Sequence, residues 1–379
     1  MQKIYLLFIS TVLFLGCKSE TANITPQVLG TGERIEVNYA EGFEIEAFKD
    51  FKIITINTPW PNAKETFRYA LVQKDAQVTI GEGFDAVIEI PIDSIVVTST
   101  THIPSLEMLE EGNALVGFPN MNYISSEATR KRITEGKITE LGMNENLNTE
   151  VLIDLAPDVV VGFAVDGSNT TFDILKKTGI PVLYNADWTE TSPLGKAEWI
   201  KFFGALFNKS EKAAELFNTI EKDYNEAKTI AESSQTRPTV LSGAMYKDVW
   251  YLPQGDSWAA QFIDDANGSY LWKESKGTGS LSLNLESVLE KGKTADFWIG
   301  PGQFTGLEPL GEAHSVYRQF DAYKNDNVYS FTTKKGATGG VVYYELAPNR
   351  PDLVLKDMIK ILHPKLLPNY ELYFFSKLK

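Results

Sequence analysis

One cysteine and three histidines in 379 residues leave this chain little with which to staple itself or to hold a metal. The lone cysteine, Cys17, allows no intramolecular disulfide, so the fold must be held by burial alone. Capture of zinc or manganese needs several His and carboxylate ligands gathered at one point, and His102, His314 and His363 stand far apart in sequence. Basic residues are also scarce: 36 Lys and Arg face 50 Asp and Glu, a net charge of −14 that argues against a nucleic-acid partner. No G-x-G-x-x-G with a following acid and no Walker A sequence occurs, so nucleotide chemistry lacks support. Beyond residue 17 no apolar run is long enough to cross a bilayer.

What is present begins at the N-terminus. Lys3, the apolar run Ile4–Leu15 and the small Gly16 read as an export signal over residues 1–16. Cys17 falls at its cleavage point, and Leu13-Phe14-Leu15-Gly16-Cys17 resembles a bacterial lipoprotein box, which implies lipid on Cys17 and a chain tethered to the cell envelope, on its periplasmic face. Without residues 1–16 the chain has 363 residues and loses only the Lys3 charge, giving −15. That length predicts two domains or two lobes. Polar residues 17–33 read as a tether. Over 34–94, short alternating runs such as Phe51–Asn57 and Phe67–Leu71, broken by Pro59 and Pro61, predict an antiparallel β extension packed on the first lobe.

From Ile95 the pattern becomes β-branched strands alternating with helical stretches, the grammar of a parallel sheet with crossover helices: Ile95–Thr98, Leu115–Phe118, Val159–Gly162 and Val182–Tyr184 within a lobe 95–207. A segment free of Gly and Pro, rich in helix formers and i,i+4 charge pairs, predicts a bridging helix within 208–235. After Pro238 a second strand series, Thr239–Ser242, Asp296–Ile299 and Val328–Ser330, predicts a second lobe over 236–379. The fold class expected is α/β: two Rossmann-like lobes with parallel sheets, one long backbone helix between them, and the β extension.

The halves share a signature. Asn148-Thr-Glu150 precedes the strand Asp158–Gly162, and Asn284-Leu-Glu286 precedes Asp296–Gly300, with two more residues in the second copy. Asn is a favoured N-cap, which puts Glu150 and Glu286 each at the second position of a helix. Acids there complement the helix dipole, which explains either one alone but not the repetition.

With these paired glutamates and the predicted bridging helix, the stretch Ile95–His363 resembles the substrate-binding proteins of ABC importers, the helical-backbone class that serves ferric siderophores, haem and cobalamin. The resemblance implies a monomeric binding protein rather than an enzyme, with no cofactor, in which Glu150 and Glu286 dock on arginines of a permease dimer. It offers no account of residues 35–90. Ligands of open parallel sheets bind beyond the C-terminal strand ends, which makes Thr101, His102, Tyr123, Tyr246, Trp250, Tyr251, Trp258, Gln303, Phe304, Lys334 and Lys335 the candidate contacts. Aromatic walls suit a large planar or greasy ligand, and the two lysines favour an iron chelate, a ferric siderophore, over the alternatives cobalamin and haem. A rival reading takes Gly255-Asp-Ser257-Trp-Ala259 as an approximate nucleophile elbow of a secreted α/β hydrolase, although its final position is Ala; Ser257 as the cap of a helix starting at Trp258 is the alternative.

Overall fold

The computed structural model describes residues 32–144, 146–167 and 169–379. Cys17 and nearly all of the expected tether lie outside these residues.

Three sheets of five strands carry the fold. The first consists of β1 (Glu33–Ile35), β2 (Phe43–Ala47), β3 (Phe51–Ile56), β4 (Phe67–Gln73) and β5 (Ala86–Ile90), paired in that order. It is antiparallel except at its last pair: β4 and β5 run parallel. Here the antiparallel expectation is corrected, because residues 74–85 carry the chain back along the sheet instead of turning as a hairpin. The run read as alternating in Phe51–Asn57 breaks step within β3: Phe51 and Ile53 are buried on one face and Ile54 and Ile56 on the other, so this strand is covered on both faces.

The second sheet runs β12 (Val182–Tyr184), β11 (Val159–Gly162), β6 (Ile95–Val97), β7 (Leu115–Phe118), β8 (Thr139–Glu140), and every pair is parallel. A small hairpin, β9 (Gly142–Met143) with β10 (Asn146–Leu147), follows β8. The third sheet runs β16 (Ser269–Tyr270), β13 (Thr239–Ser242), β18 (Phe297–Ile299), β19 (Val328–Ser330), β20 (Ser376–Lys377), parallel except for β20 at its edge. A three-stranded antiparallel sheet, β14 (Ala244–Tyr246), β15 (Val249–Pro253) and β17 (Ser280–Leu283), rises after β13. Strand order reverses between β6 and β11 in one lobe and between β13 and β18 in the other, the switch points where open α/β sheets bind ligands.

Helix Ser210–Glu232 joins the lobes. At 1.5 Å per residue its 23 residues span about 34 Å. Its buried positions, Ala213, Phe217, Ile220, Tyr224, Ala227 and Ala231, recur at alternating steps of four and three and so fall on one face. The first three enter the core shared by the N-terminal sheet and the first lobe, and the last three enter the core of the second lobe. One helix face is therefore a structural part of both lobes.

The repeated signature has a structural basis in both copies. Asn148 Oδ1 accepts the Val151 N–H at 3.2 Å, and Asn284 Oδ1 accepts that of Ser287 at 2.9 Å. The aspartates at the strand starts repeat a second device. Asp158 Oδ2 accepts the backbone N–H of Asp93 (2.7 Å) and Ser94 (2.9 Å), while Ser94 Oγ accepts the Asp158 N–H. Asp296 Oδ2 likewise accepts the Thr239 N–H at 2.8 Å, and Thr239 Oγ1 accepts the Asp296 N–H at 3.0 Å. Each pair ties the entry of one central strand to its neighbour, satisfying backbone donors where the strands begin.

The N-terminal sheet is built into the first lobe through two buried glutamates. Glu198, with no exposed surface, accepts N–H bonds from Asn38, Tyr39 and Ala40 and an ion pair from Lys201 at 2.7 Å. Glu190 accepts from the Glu41 and Gly42 N–H groups and from Trp199 Nε1. Buried carboxylates persist when their lone pairs are met in this way.

Candidate functional site

Two cavities open at the C-terminal ends of the first lobe's strands, each with a wall from the second lobe. The larger, about 370 Å³, lies at the β12 end and is lined by Trp188, Thr189, Glu190, Thr191 and Lys196 of the first lobe and Trp258, Thr278 and Gly279 of the second. Loops at one end of the N-terminal sheet, before β2 and after β3, complete it with Glu41, Gly42, Thr58 and Pro61. The other, about 300 Å³, sits over β6, β7 and β11, lined by Thr98, Thr100, Phe118, Pro119, Asn120, Tyr123, Asn144 and Phe163, with Val341 and Tyr344 from the second lobe. Thr101 and Asp187 stand between the two neighbourhoods, joined by a Thr101 Oγ1 to Asp187 Oδ2 bond of 2.7 Å.

The larger cavity has one cation. Lys196 is 8% exposed and donates to the carbonyls of Asp187 (2.9 Å) and Trp188 (3.1 Å), with its ammonium 5.4 Å from the Trp258 ring centre. Burial pulls its pKa below the usual lysine value, against the fields of Asp187 and Glu190. Burial also raises the pKa of Glu190, opposed by its N–H donors. Among the described residues, no charged side chain lines the second cavity.

Of the residues singled out in sequence, Tyr123 and Trp258 line cavities. Thr101 holds Asp187, as described. His102 is buried beneath the strand ends, 1% exposed, with Asn185 beside its ring. Desolvation lowers its pKa, so the ring is neutral near pH 7 and is packed beside Phe203 rather than offered to a ligand. Trp250 is corrected to a core residue: it has no exposed surface, stacks on Trp298 at 5.4 Å and donates its indole N–H to the Ser242 carbonyl. Lys334 is corrected to a structural tie, its ammonium held by the carbonyls of Leu372 (2.6 Å) and Tyr373 (2.5 Å). Phe304 is half-buried against Tyr317, Gln303 and Lys335 are exposed, and Tyr246 and Tyr251 are exposed on the antiparallel sheet; none lines either cavity.

The hydrolase reading does not survive the geometry. Ser257 is 3% exposed, its Oγ donates to the Gln254 carbonyl at 2.6 Å, and the same oxygen accepts the Ala260 N–H as the cap of helix Trp258–Asp265. His314 accepts the Val316 N–H.

Sequence reasoning missed the loop after β12. The strand-end rule that selected other loops applies equally to residues 187–191, which carry Trp188 and Glu190. The contribution of the N-terminal sheet had no sequence signal, because Thr58 and Pro61 read as an ordinary turn. The glycines of 335–340 prove to be contact points. A Cβ on Gly340 would lie 2.1 Å from the Tyr123 carbonyl, and one on Gly336 would lie 2.5 Å from the Ser125 Cα. There the second lobe's backbone lies directly on the first. Thr338 Oγ1 donates to the Asn122 carbonyl, and Asn349 is bonded to Ser105 and the Thr101 carbonyl. Glu345, 3% exposed, accepts the N–H groups of Ser125 and Ser126 at 2.6 and 2.9 Å.

Comparison with known proteins agrees with this architecture. The sequence profile of the family described as periplasmic binding protein matches residues 95–334. An uncharacterized lipoprotein of Methanocaldococcus jannaschii is 28% identical over 311 residues, covering 80% of this chain and 72% of that one. Among solved structures, a possible iron-binding, periplasmic solute-binding protein of Staphylococcus epidermidis superposes with a TM-score of 0.55 at 17% identity, covering 72% of this chain and 99% of that one. A periplasmic vitamin B12-binding protein of Vibrio cholerae gives 0.52 at 13% identity, covering 72% and 97%. These two share the fold of two α/β lobes. With its two lobes, bridging helix and matched core, the chain belongs to the periplasmic binding protein family.

Proposed function

We propose that this protein is the lipid-anchored substrate-binding component of an ABC importer, tethered to the cell envelope through Cys17, and that it carries an iron complex or a corrinoid in the cleft between its lobes. The observation that carries the reading is the pair of cavities at the strand ends of one lobe, walled by the other, in a molecule whose lobes share a single helix. The Staphylococcus epidermidis and Vibrio cholerae proteins, described as possibly iron-binding and as vitamin B12-binding, share this fold and support the ligand class. Glu150 and Glu286, both exposed at the second position of Asn-capped helices, are the permease contacts in this reading. The protein acts as a monomer that captures its ligand, docks and releases.

Trp188 and Trp258 both line the larger cavity, so ligand entry there should alter the intrinsic fluorescence. The chain from Lys18 is titrated with ferric siderophores, cyanocobalamin and haemin, with correction for inner-filter absorbance. Saturable quenching by a member at submicromolar concentration is expected. No response to any of them contradicts the reading.

A further inference from the structure

We propose that the N-terminal sheet is a ligand-selecting wall, and that the chamber it closes accepts the uncharged, amide-rich edge of a metal complex and rejects a polyanionic one. This rests on the reading of the cleft as a ligand site. The sheet lies outside the stretch matched by the family profile, 95–334, yet Glu41, Thr58 and Pro61 line the larger cavity. They are fixed there: the Glu41 and Gly42 N–H groups are bound by Glu190, and Tyr39 Oη donates to Glu221 of the bridging helix at 2.5 Å. A wall held from two sides by the lobe and its backbone helix is a preorganised surface.

The charges in the chamber give it its selectivity. Two carboxylates, Glu41 and Glu190, stand against one ammonium, and both that ammonium and Glu190 are already engaged with protein partners. Among the described residues, no arginine lines either cavity. Polyanionic chelates and carboxylate-bearing macrocycles are ordinarily met by unengaged Arg or Lys forks, and Lys334 is spent on carbonyls. The remaining lining offers hydroxyls and indole faces, which suit neutral amide or hydroxamate groups by hydrogen bonding and contact area. Ferric trihydroxamates and corrinoids share this chemistry, whereas ferric tricatecholates, ferric citrate and haemin carry anionic groups.

Calorimetric titration of the chain from Lys18 with a neutral ferric trihydroxamate, cyanocobalamin, a ferric tricatecholate, ferric citrate and haemin tests the proposal, and the first two distinguish its two sources. A neutral member should bind at least about tenfold more tightly than every anionic one. Thr58→Trp, which fills the chamber from the N-terminal sheet, should weaken the tightest neutral member at least about tenfold. Glu41→Lys, at an exposed position whose bond to Glu190 is made by the backbone, should narrow the gap between neutral and anionic members at least about threefold. Melting temperatures within a few degrees of wild type establish that both variants fold. Tightest binding by an anionic member overturns the charge assignment. Unchanged affinities in both variants, with Tyr123→Ala and Tyr344→Ala weakened, overturn the wall and leave the proposed function standing. No binding by wild type to any member overturns both.

Discussion

The two lobes share a backbone plan, and in each the aromatic residues of the closed core behave differently from those on the cavity walls. Each repeats an Asn-capped helix with a glutamate at its second position and an aspartate that ties two central strands together. In the second lobe Trp250 and Trp298 stack at 5.4 Å and each has Tyr317 and Phe320 within 5.2–5.6 Å, centre to centre, in a closed buried cluster, while Trp258 and Tyr344 stand on the cavity walls. In the first lobe Trp188 is 40% exposed and Tyr123 67% exposed, both on cavity walls. The repeat therefore reports the framework, and where a ring sits in that framework decides whether it packs or waits for a ligand.

The contrast predicts a large difference between two tryptophan truncations. Trp250→Ala empties a closed cluster and leaves the Ser242 carbonyl without its donor, for a loss of about 3–5 kcal/mol in denaturant unfolding. Trp188→Ala, on the cavity wall, should cost about 0.5 kcal/mol or less and should instead weaken ligand binding. Comparable losses of stability at both sites would erase the distinction.

The contact between the lobes is also charged at one point. Glu345 is buried against Ser125 and Ser126, and desolvation raises its carboxyl to about 7 despite those donors, with Glu107 adding a repulsive field. A folded pKa above the unfolded value of about 4.5 means that the native state binds more protons between those values, so this group's contribution favours folding below the window and is lost as pH rises through it. The change is at most about 3 kcal/mol across the window. Glu345→Gln removes the titration, and the melting temperature of the variant relative to wild type should rise from pH 5 to pH 8. A constant difference would show that Glu345 does not titrate there.

Gly340 probes the same contact without charge. Gly340→Ala puts a methyl against the Tyr123 carbonyl, and the backbones must part, at about 1–3 kcal/mol. A fully wild-type melt would mean that the lobes do not lean on each other at this point.

Much of the architecture was legible because strands buried on both faces, a helix free of Gly and Pro, and Asn caps are local signals. Ser210–Glu232 announces itself through its helix formers, its i,i+4 charge pairs and its freedom from Gly and Pro, and Val159–Gly162 through its unbroken apolar run. The candidate site was less legible because its walls come from segments distant in sequence. Nothing local says that Pro61 will meet Trp258, or that the Lys334 ammonium will be taken up by carbonyls near the C-terminus. Trp250 misled for a related reason: beside Gly, Pro and Asp it reads as a loop residue, yet the pairing of β15 with both β14 and β17 carries it into the core.

The repeated glutamates provide the most direct test of a binding protein that hands its ligand to a permease. Ligand affinity and cellular uptake are measured side by side for the double variant Glu150→Lys, Glu286→Lys, both positions being exposed and away from the cavity linings. The account predicts unchanged affinity, a melting temperature lowered only by the lost helix-dipole terms of about 0.3–1 kcal/mol each, and uptake abolished. Uptake at the wild-type rate would contradict it.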